Sequence, residues 1–435
     1  MPEELPEGLS QQQRRRGQAA LTRVAVSFTL ANSFTWSISA LFLLGLGATP
    51  FHLGLLATTT HLDRTARLGG IKLMERLGKA SLLFWGRIAA VLPTAALVAL
   101  AFSGKSDPAL IWAALAMMGL ISLIKQVGNT GWWPLIQDNT AGDALGSVLS
   151  RMRMRQRSLD LVLPLIVGWY LGAQPSTRHF ALPFAMGLLA TGAAAWLMRG
   201  IAERPLPKPE TGFWQRILAA GRRPSLRRYG LYAMVHALLS AASMPFWVVV
   251  LTGRGMGAMY FVWMTSVAAL GNLGGLFWWG RLVDAHGSRP VLTITLLAQA
   301  LLGLAWLGLP SQPLWLLAWA TPIYLIWGVL QGGIQMGENR AMVDAISSTH
   351  QGEGFTLAIY ASALGGGLGG LLGGFAFQWV NQLPPTAAGW EPTLLYLAAL
   401  QLAMAGAWYL STFLSGYEQQ TSLRTLARQW RRRLK

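Results

Sequence analysis

The chain has 435 residues, of which 53% are hydrophobic and 12% are charged, about half the charged share of an ordinary soluble protein. Apolar stretches of roughly 20 residues recur along nearly its whole length, which excludes a sizeable soluble domain and indicates a polytopic membrane protein. The sequence contains no cysteine, and its histidines include no pair at the i, i+4 spacing of a helical metal site. We therefore expect neither a metal centre nor a cofactor.

Twelve apolar segments are long enough to span a bilayer as helices. They lie at about 22–46, 51–73, 81–103, 108–133, 156–174, 179–200, 228–252, 257–282, 290–309, 314–338, 354–380 and 391–414. The fifth is the least sharply defined, because several arginines and Asp160 crowd its start. The predicted fold class is an all-α membrane protein with twelve transmembrane helices.

The excess of positive charge follows the membrane topology. The chain carries 35 Lys and Arg against 17 Asp and Glu, a net charge of +18. Basic residues cluster at one end of the predicted spans, and only Lys105, Arg178 and Arg254 fall at the opposite end. Since positive loops are retained in the cytoplasm, we expect cytoplasmic termini in a multi-pass protein of the inner (plasma) membrane. The basic tail is expected to lie against anionic lipid, and nucleic acid is not an expected partner.

A proline-rich, charged segment at 202–210 divides the chain. The predicted organisation has five parts. They are a cytoplasmic N-terminal segment (1–21), an N-terminal six-helix half (22–200), a cytoplasmic linker (201–227), a C-terminal six-helix half (228–414) and a basic cytoplasmic tail (415–435).

The two halves carry matching loops. Glu75 and Asp284 are 209 positions apart, as are Gly78 and Gly287. The first member of each pair lies at the end of the second span, and the other lies at the end of the eighth. Asp138, after the fourth span, and Asp344, after the tenth, are 206 positions apart, and this offset also places Lys125 opposite Gln331. Nearly equal offsets at separate places indicate an internal repeat, so the halves are expected to be pseudo-symmetric.

The loop after the eighth span has the pattern G-x-x-x-D-x-x-G-x-R, formed by Gly280, Asp284, Gly287 and Arg289. With this string the chain resembles the major facilitator superfamily of secondary transporters, whose signature lies in the loop between helices 8 and 9. The resemblance covers essentially the whole chain. It implies that contacts of Asp284 and Arg289 hold the two halves together in one conformation and release in the other. The alternative is a loop that only fixes topology.

The first copy of the loop departs from the pattern. Ile71 stands at the first glycine position, Glu75 replaces the aspartate and Ala80 replaces the arginine. The gating role that the resemblance implies is therefore less well supported at Glu75.

The second span contains several charged residues. Asp63, Arg64 and Arg67 lie about 20 Å along this helix at 1.5 Å per residue, and charges at such depth usually face a cavity and mark function. The i, i+4 spacing predicts an Asp63–Arg67 ion pair, which leaves Arg64 free to bind an anionic or zwitterionic solute. The alternative is a gating network between the halves. Asp63 is also a candidate for carrying a coupling proton.

Polar residues in the fourth and tenth spans are further pocket candidates, because the resemblance implies that helices 1, 4, 7 and 10 line the central cavity. They are Lys125, Asn129, Gln331 and Gln335. The alternative for Lys125 is a side chain that reaches toward the cytoplasmic surface. Glu338 is expected to be an interface residue paired with Arg340, or else a carrier of coupling protons.

The eleventh span is rich in glycine, with Gly366 and Gly370 at i, i+4 spacing. Small residues at this spacing let helix backbones approach closely. The pattern predicts tight helix packing rather than a nucleotide site.

The sequence thus predicts a monomeric secondary transporter that moves a small anionic or zwitterionic organic solute by alternating access, with a proton as candidate coupling ion. One alternative is a non-transporting protein of the same fold that acts as an assembly or docking factor for other membrane proteins, pigments or lipids. An enzyme is not expected, because His, Cys and paired carboxylates are not clustered at a common depth.

Overall fold

The computed structural model describes residues 9–105, 107–140, 145–205, 212–346 and 351–414. All regular secondary structure in these ranges is helical. The helices of the first part of the chain are α1 (Gln11–Thr35), α2 (Ser39–Gly45), α3 (Pro50–Leu62), α4 (Arg67–Leu77), α5 (Lys79–Ser103), α6 (Pro108–Asn129), α7 (Trp132–Asn139), α8 (Leu145–Leu171) and α9 (Ala181–Met198). Those of the second part are α10 (Phe213–Gly221), α11 (Pro224–Ser243), α12 (Trp247–Gly253), α13 (Ala258–His286), α14 (Ser288–Ala305), α15 (Pro313–Ala345), α16 (Gln351–Val380), α17 (Pro392–Leu402) and α18 (Met404–Ser411).

The helices confirm the predicted fold class. Ten helical spans within the described ranges are long and apolar enough to cross a membrane. The two other predicted spans correspond to residues 50–77 and to α8, both of which carry charged residues within the helix. The basic tail at 415–435 lies outside the described residues.

Two helices start earlier than the hydropathy pattern predicts. α1 begins at Gln11 rather than near 22, because Ser10 caps it: the Ser10 hydroxyl accepts from the Gln13 backbone N–H at 3.2 Å, and the Gln13 side chain accepts from Ser10 N–H at 2.9 Å. α8 begins at Leu145 rather than near 156 and carries the arginines of 151–157 within the helix. Charged residues thus extend these helices beyond their apolar parts.

The matching loops of the repeat have the same backbone geometry. Gly78 separates α4 from α5 with φ 85° and ψ 169°, and Gly287 separates α13 from α14 with φ 80° and ψ −177°. A positive φ of this size with ψ near 180° is open essentially to glycine alone. The two turns related by the 209-residue offset are therefore structurally equivalent.

The second predicted span is broken. A 3₁₀ turn at Asp63–Ala66 separates α3 from α4. Contacts divide the chain into two compact units: described residues 9–48 and 63–205 form the first unit, whereas 49–62 and the described residues from 212 onward form the second. α4 packs on α5 and α6 in the first unit, and α3 packs on α16 in the second. By its contacts, Thr49–Leu62 belongs to the second unit, whereas the sequence analysis assigns it to the N-terminal half at 22–200.

Glycines allow α16 to pack closely on two helices of the second unit. One row faces α11 at Met234, Leu238 and Ala242; it consists of Gly365, Gly369 and Gly373. The adjacent row faces α3 and consists of Gly366, Gly370 and Gly374. The Thr58 hydroxyl on α3 also donates to the Gly367 carbonyl at 2.9 Å. The predicted close packing of this glycine-rich span is thus present, and α16 uses one glycine row for each neighbour.

The start of the linker is fixed to the first unit. The buried Lys79 ammonium forms an ion pair with Asp138 at 2.6 Å and donates to the Arg204 carbonyl at 3.0 Å. The Glu203 carboxylate accepts from the backbone N–H groups of Lys79 and Ala80 at 2.5 and 2.8 Å, which caps the N-terminus of α5. In the second unit, α10 adds an ion pair between Arg216 and Glu353 at 3.1 Å. Parts of the predicted linker at 201–227 are therefore ordered by specific contacts.

The α3–α16 contact predicts the effect of adding one methyl group. A Cβ at Gly370 would lie 2.7 Å from the Thr58 backbone N and 2.8 Å from the Gly54 carbonyl oxygen. Because both atoms belong to the backbone of α3, we expect Gly370→Ala to destabilise the protein by about 1–3 kcal/mol. The measurement is thermal unfolding of the purified protein in detergent.

Gly192→Ala on α9 is the matched control, since a Cβ there meets no atom within 4 Å. It should be neutral or stabilising by up to about 1 kcal/mol through helix propensity. Equal melting temperatures for the two variants would contradict the close packing of α3 on α16.

Candidate functional site

A polar stripe runs along α6 in the first unit. Ser122, Lys125, Gln126 and Asn129 occupy positions i, i+3, i+4 and i+7, which share one face of a helix. The 3₁₀ turn and α4 lie against α6, and α5 packs on it as well. The side chains of the stripe therefore meet charged residues from both neighbours.

Asp63 is buried, with 6% of its surface exposed. Its carboxylate accepts a short hydrogen bond from the Ser122 hydroxyl and a longer one from the Gln126 amide at 3.4 Å. The Gln126 amide oxygen in turn accepts from Arg67 Nε at 2.9 Å. The direct Asp63–Arg67 ion pair expected from the spacing is therefore replaced by a bridge through Gln126. The cause is the 3₁₀ turn at 63–66, in which residues i and i+4 do not stack as they do in an α-helix.

One oxygen of this carboxylate remains available. Asp63 Oδ1 is buried and has no hydrogen-bond partner in the described part of the chain. The partly buried Arg64 and Arg67 both lie close enough to interact electrostatically with Asp63. Buried polar atoms of this kind call for an explanation, such as a ligand donor or an ordered water.

Arg87 and Lys125 are buried cations in the same unit. Arg87, 4% exposed, donates from Nη2 to the Asn129 side-chain oxygen at 2.5 Å, and its guanidinium stacks on Phe28 at 3.7 Å from the ring centroid. Lys125, 6% exposed, has no hydrogen bond or ion pair among the described residues, and Arg87 is a charged neighbour. Neither cation has a carboxylate partner within the described ranges.

Two groups of charged residues therefore contact the polar face of α6: Asp63, Arg64 and Arg67 form one, and Arg87 and Lys125 form the other. We refer to the five residues together as the cation-rich cluster. Four positive side chains stand against one carboxylate, a net charge of +3 when all are ionised. A buried cation without a counter-ion is costly. An anion bound among these side chains would offset that cost and could accept bidentate hydrogen bonds from a guanidinium.

The predicted pocket residues of the tenth span lie on α15 in the second unit. The Gln331 amide donates to Gln299 at 3.2 Å, Gln299 donates to Gln401 at 3.3 Å, and Gln401 donates to the Ser243 hydroxyl at 3.1 Å. This chain of hydrogen bonds joins four helices and orients the Gln331 amide. Gln335, one turn further along α15, is exposed.

Glu338 does not pair with Arg340, contrary to one of the two expectations for it. Its Oε1 lies 2.7 Å from Nδ1 of His236 on α11 and accepts from the Tyr232 hydroxyl at 3.1 Å. Arg340 pairs instead with Asp344 at 3.2 Å. The reason is helix geometry, because residues two apart on a helix face different sides whereas residues four apart share one.

The signature residues lie around the turns between helices. Asp284 and Glu75 are exposed at the ends of α13 and α4, and Gly280 and Arg289 are partly buried on α13 and α14. Gly287 provides the turn itself. Their proposed gating role remains a prediction.

Comparisons with known proteins agree with this architecture. A family model described as the Major Facilitator Superfamily matches residues 161–370. A nucleoside transporter structure has 11% identity and a TM-score of 0.71, covering 91% of this chain and 100% of that one. A D-xylose–proton symporter has 13% identity and a TM-score of 0.69, covering 95% and 100%. A peptide transporter has 14% identity and a TM-score of 0.68, covering 92% and 93%.

Residues 161–370 thus resemble the Major Facilitator Superfamily in sequence, and the chain shares the fold of these transporter structures. At such low identities the three structures establish the shared fold alone, and none of their substrates follows for this protein. No curated protein matches the sequence.

The structure groups part of the predicted site. Asp63, Arg64, Arg67, Lys125 and Asn129 all belong to the first unit, whereas Gln331, Gln335 and Glu338 lie in the second. Sequence analysis missed Arg87, although a single arginine between the apolar runs 81–86 and 88–103 was a visible signal.

The Arg87–Asn129 bond predicts a stability effect. Asn129→Leu keeps the side-chain size but removes the acceptor of a buried guanidinium. We expect it to destabilise the transporter by about 1.5–3 kcal/mol, the range for hydrogen bonds to charged groups. Thermal unfolding in detergent is the measurement.

Lys125→Met is the matched control on the same helix face, because it removes a buried cation and leaves no partner behind. It should be neutral or stabilising. A loss of stability in Lys125→Met as large as that in Asn129→Leu would show that Lys125 has a counter-charge of its own.

Proposed function

We propose that this transporter moves a small anionic or zwitterionic organic solute, which binds at the cation-rich cluster of the first unit. The observation that carries the proposal is the burial of Arg87 and Lys125 without a carboxylate partner among the described residues. Each uncompensated charge in a membrane-spanning helix costs roughly 2.5–3.5 kcal/mol on insertion scales. An anionic solute removes part of this cost on binding, which accounts for buried cations at these positions.

The cluster also favours solutes that carry a hydrogen-bond donor beside their anionic group. The anionic group of the solute would take hydrogen bonds from Lys125 and the guanidinium groups, while Asp63 Oδ1 could accept one from a hydroxyl or ammonium group. A hydroxy acid, an amino acid or a similar solute with a donor beside its carboxylate can bond both to the cations and to Asp63 Oδ1. A simple cation offers no acceptor to Lys125 and the guanidinium groups, and the excess of positive charge in the cluster opposes its binding.

Transport would follow alternating access between two six-helix halves at 22–200 and 228–414. We place both termini and the segment at 201–227 in the cytoplasm, because the basic residues concentrate at that end of the spans. We further propose a monomer in the inner membrane, with lipid around its apolar surface. Exposed indoles such as Trp169 and Trp315 support contact with lipid.

The first test does not presuppose the solute. Metabolites inside cells and in the medium are compared for a strain that lacks the gene, a complemented strain and a strain complemented with Lys125→Met. We expect an anionic or zwitterionic metabolite to change on deletion and to be restored by the wild type alone.

The quantitative test measures binding of that metabolite to purified protein. Lys125→Met should weaken it by about tenfold or more, the equivalent of one charge-assisted hydrogen bond. Lys105→Met is the matched control, since Lys105 is exposed in the loop between α5 and α6. Restoration of a neutral or cationic metabolite instead would contradict the proposed solute class.

Two further outcomes identify the alternatives. If Arg64→Ala transports with unchanged affinity, Arg64 belongs to a gating network rather than to the binding site. If no metabolite changes while a membrane complex fails to assemble in the deletion strain, the protein is a docking factor and transport is abandoned.

A further inference from the structure

An exposed stripe runs along α8, the helix of the fifth predicted span. Its apolar members are Val162, Leu165, Ile166 and Trp169. The other side of α8 packs on α1, where Met152 is buried and the Gln156 amide donates to the Ala25 carbonyl at 3.4 Å. Apolar side chains that stay exposed on a membrane-spanning helix have lipid as their natural surroundings. The exposed stripe is therefore the side of α8 that suits contact with lipid.

Two arginines continue this stripe beyond its apolar part. Arg151 and Trp169 are 18 residues apart, which is five full turns of an α-helix, so they point in the same direction. Arg155 and Ile166 are 11 residues apart, and at 100° per residue they point within about 20° of each other. Both arginines are exposed. A lipid molecule that lies along the stripe therefore meets two guanidinium groups at its end.

The length of the stripe matches the thickness of a bilayer. At 1.5 Å per residue, Arg151 lies about 27 Å from Trp169 along the helix axis, and Arg155 lies about 21 Å from it. The hydrocarbon core of a membrane is about 30 Å thick, and indoles favour its boundary with the headgroups. With Trp169 at one boundary, Arg151 lies close to the other, and Arg155 reaches it by extending its long side chain. The two guanidinium groups are thus at the depth of lipid phosphates.

The surroundings of the two arginines are strongly basic. Neither Arg151 nor Arg155 forms an ion pair within the ranges that the structure describes. Asp160 is the acidic residue of α8, and it pairs with Arg157 at 3.4 Å. The neighbouring α1 carries arginines at 14–16 and 23 but no acidic residue. This end of the stripe therefore complements a molecule with a negative head and apolar chains.

We propose that Arg151, Arg155 and the apolar stripe bind an anionic phospholipid of the cytoplasmic leaflet, and we refer to this surface as the α8 lipid site. The lipid phosphate accepts hydrogen bonds from the guanidinium groups, whose planar fork matches phosphate oxygens. The acyl chains lie along the stripe toward Trp169. The choice of leaflet rests on the proposed orientation of the chain, whereas the site itself does not depend on the proposed solute.

Arg153 provides a comparison within the same segment. It lies two residues from both Arg151 and Arg155, so it points about 160° away from them around the helix. It is exposed as well. Arg153 thus carries the same charge at the same depth, but off the stripe. If charge alone attracted lipid, the three arginines would contribute equally, whereas the α8 lipid site requires Arg151 and Arg155 and not Arg153.

The experiment measures lipid binding to the purified, delipidated full-length protein by native mass spectrometry, which counts the lipids bound to each molecule. The probes are phosphatidylglycerol, which carries one negative charge, and phosphatidylcholine with the same acyl chains, which has no net charge. We expect phosphatidylglycerol to bind more tightly by about tenfold or more, the effect of two basic residues near an anionic lipid. Inorganic phosphate should not displace it, because phosphate has no chains to lie on the stripe.

The double variant with Arg151→Gln and Arg155→Gln should weaken binding of the tightest phosphatidylglycerol by about 25-fold, because each basic residue contributes about fivefold. Each single variant should show about a fivefold loss. The double variant with Arg151→Lys and Arg155→Lys keeps the charge and should stay within about threefold of the wild type. Arg153→Gln is the matched control and should stay within about twofold. All four side chains or their replacements are exposed, so the melting temperatures should agree.

Several outcomes overturn the proposal. Equal losses of binding in Arg153→Gln and Arg155→Gln would show that charge alone attracts the lipid. Equal binding of the two lipids by the wild type, or unchanged phosphatidylglycerol binding in the Arg151→Gln, Arg155→Gln variant, removes the site. Displacement of the lipid by inorganic phosphate replaces it with a site for free phosphate. A wild-type particle of two copies that the same double variant separates replaces it with a protein interface on this face of α8.

Discussion

Compensation of buried charge is the constraint on which the interior of this transporter depends. An apolar helical bundle in a membrane can hold an ionised side chain only where hydrogen bonds, a counter-charge or water reduce its cost. Lys79 and Asp138 compensate each other fully. Arg87 has only a neutral acceptor and an aromatic face, and Lys125 has a second cation for a neighbour. This difference distinguishes the structural ion pair from the two cations that we propose take part in binding the solute.

Close helix packing supplies the second requirement of the fold. Lipid does not drive helices together as water does, so association depends on backbone approach and on interhelical hydrogen bonds. The two glycine rows of α16 serve α3 and α11 in this way, and Thr58 adds a hydrogen bond at the same contact. The break at 63–66 then lets α3 pack in one unit while α4 packs in the other.

The sequence was sufficient for the fold because membrane insertion imposes simple rules on length and hydropathy. The ten apolar spans of the described residues follow from such rules. The close packing of α16 follows from the spacing of its glycines, and the equivalent turns at Gly78 and Gly287 follow from the 209-residue offset. Side-chain partners were harder to predict. The pairing of Glu338 with His236 joins residues 102 positions apart, and no local spacing encodes it. The Asp63–Arg67 pair was wrong for another reason: i, i+4 spacing brings side chains together in an α-helix, whereas Asp63 begins a 3₁₀ turn that ends at Ala66, before Arg67 begins α4.

The charges of the cation-rich cluster say more about the charge of the proposed solute than about its identity. Four cations and one carboxylate favour an anionic group in the proposed solute, but these charges do not define its size or shape. The amide chain from Gln331 to Ser243 illustrates the point, because it fixes the orientation of one polar group without adding any charge.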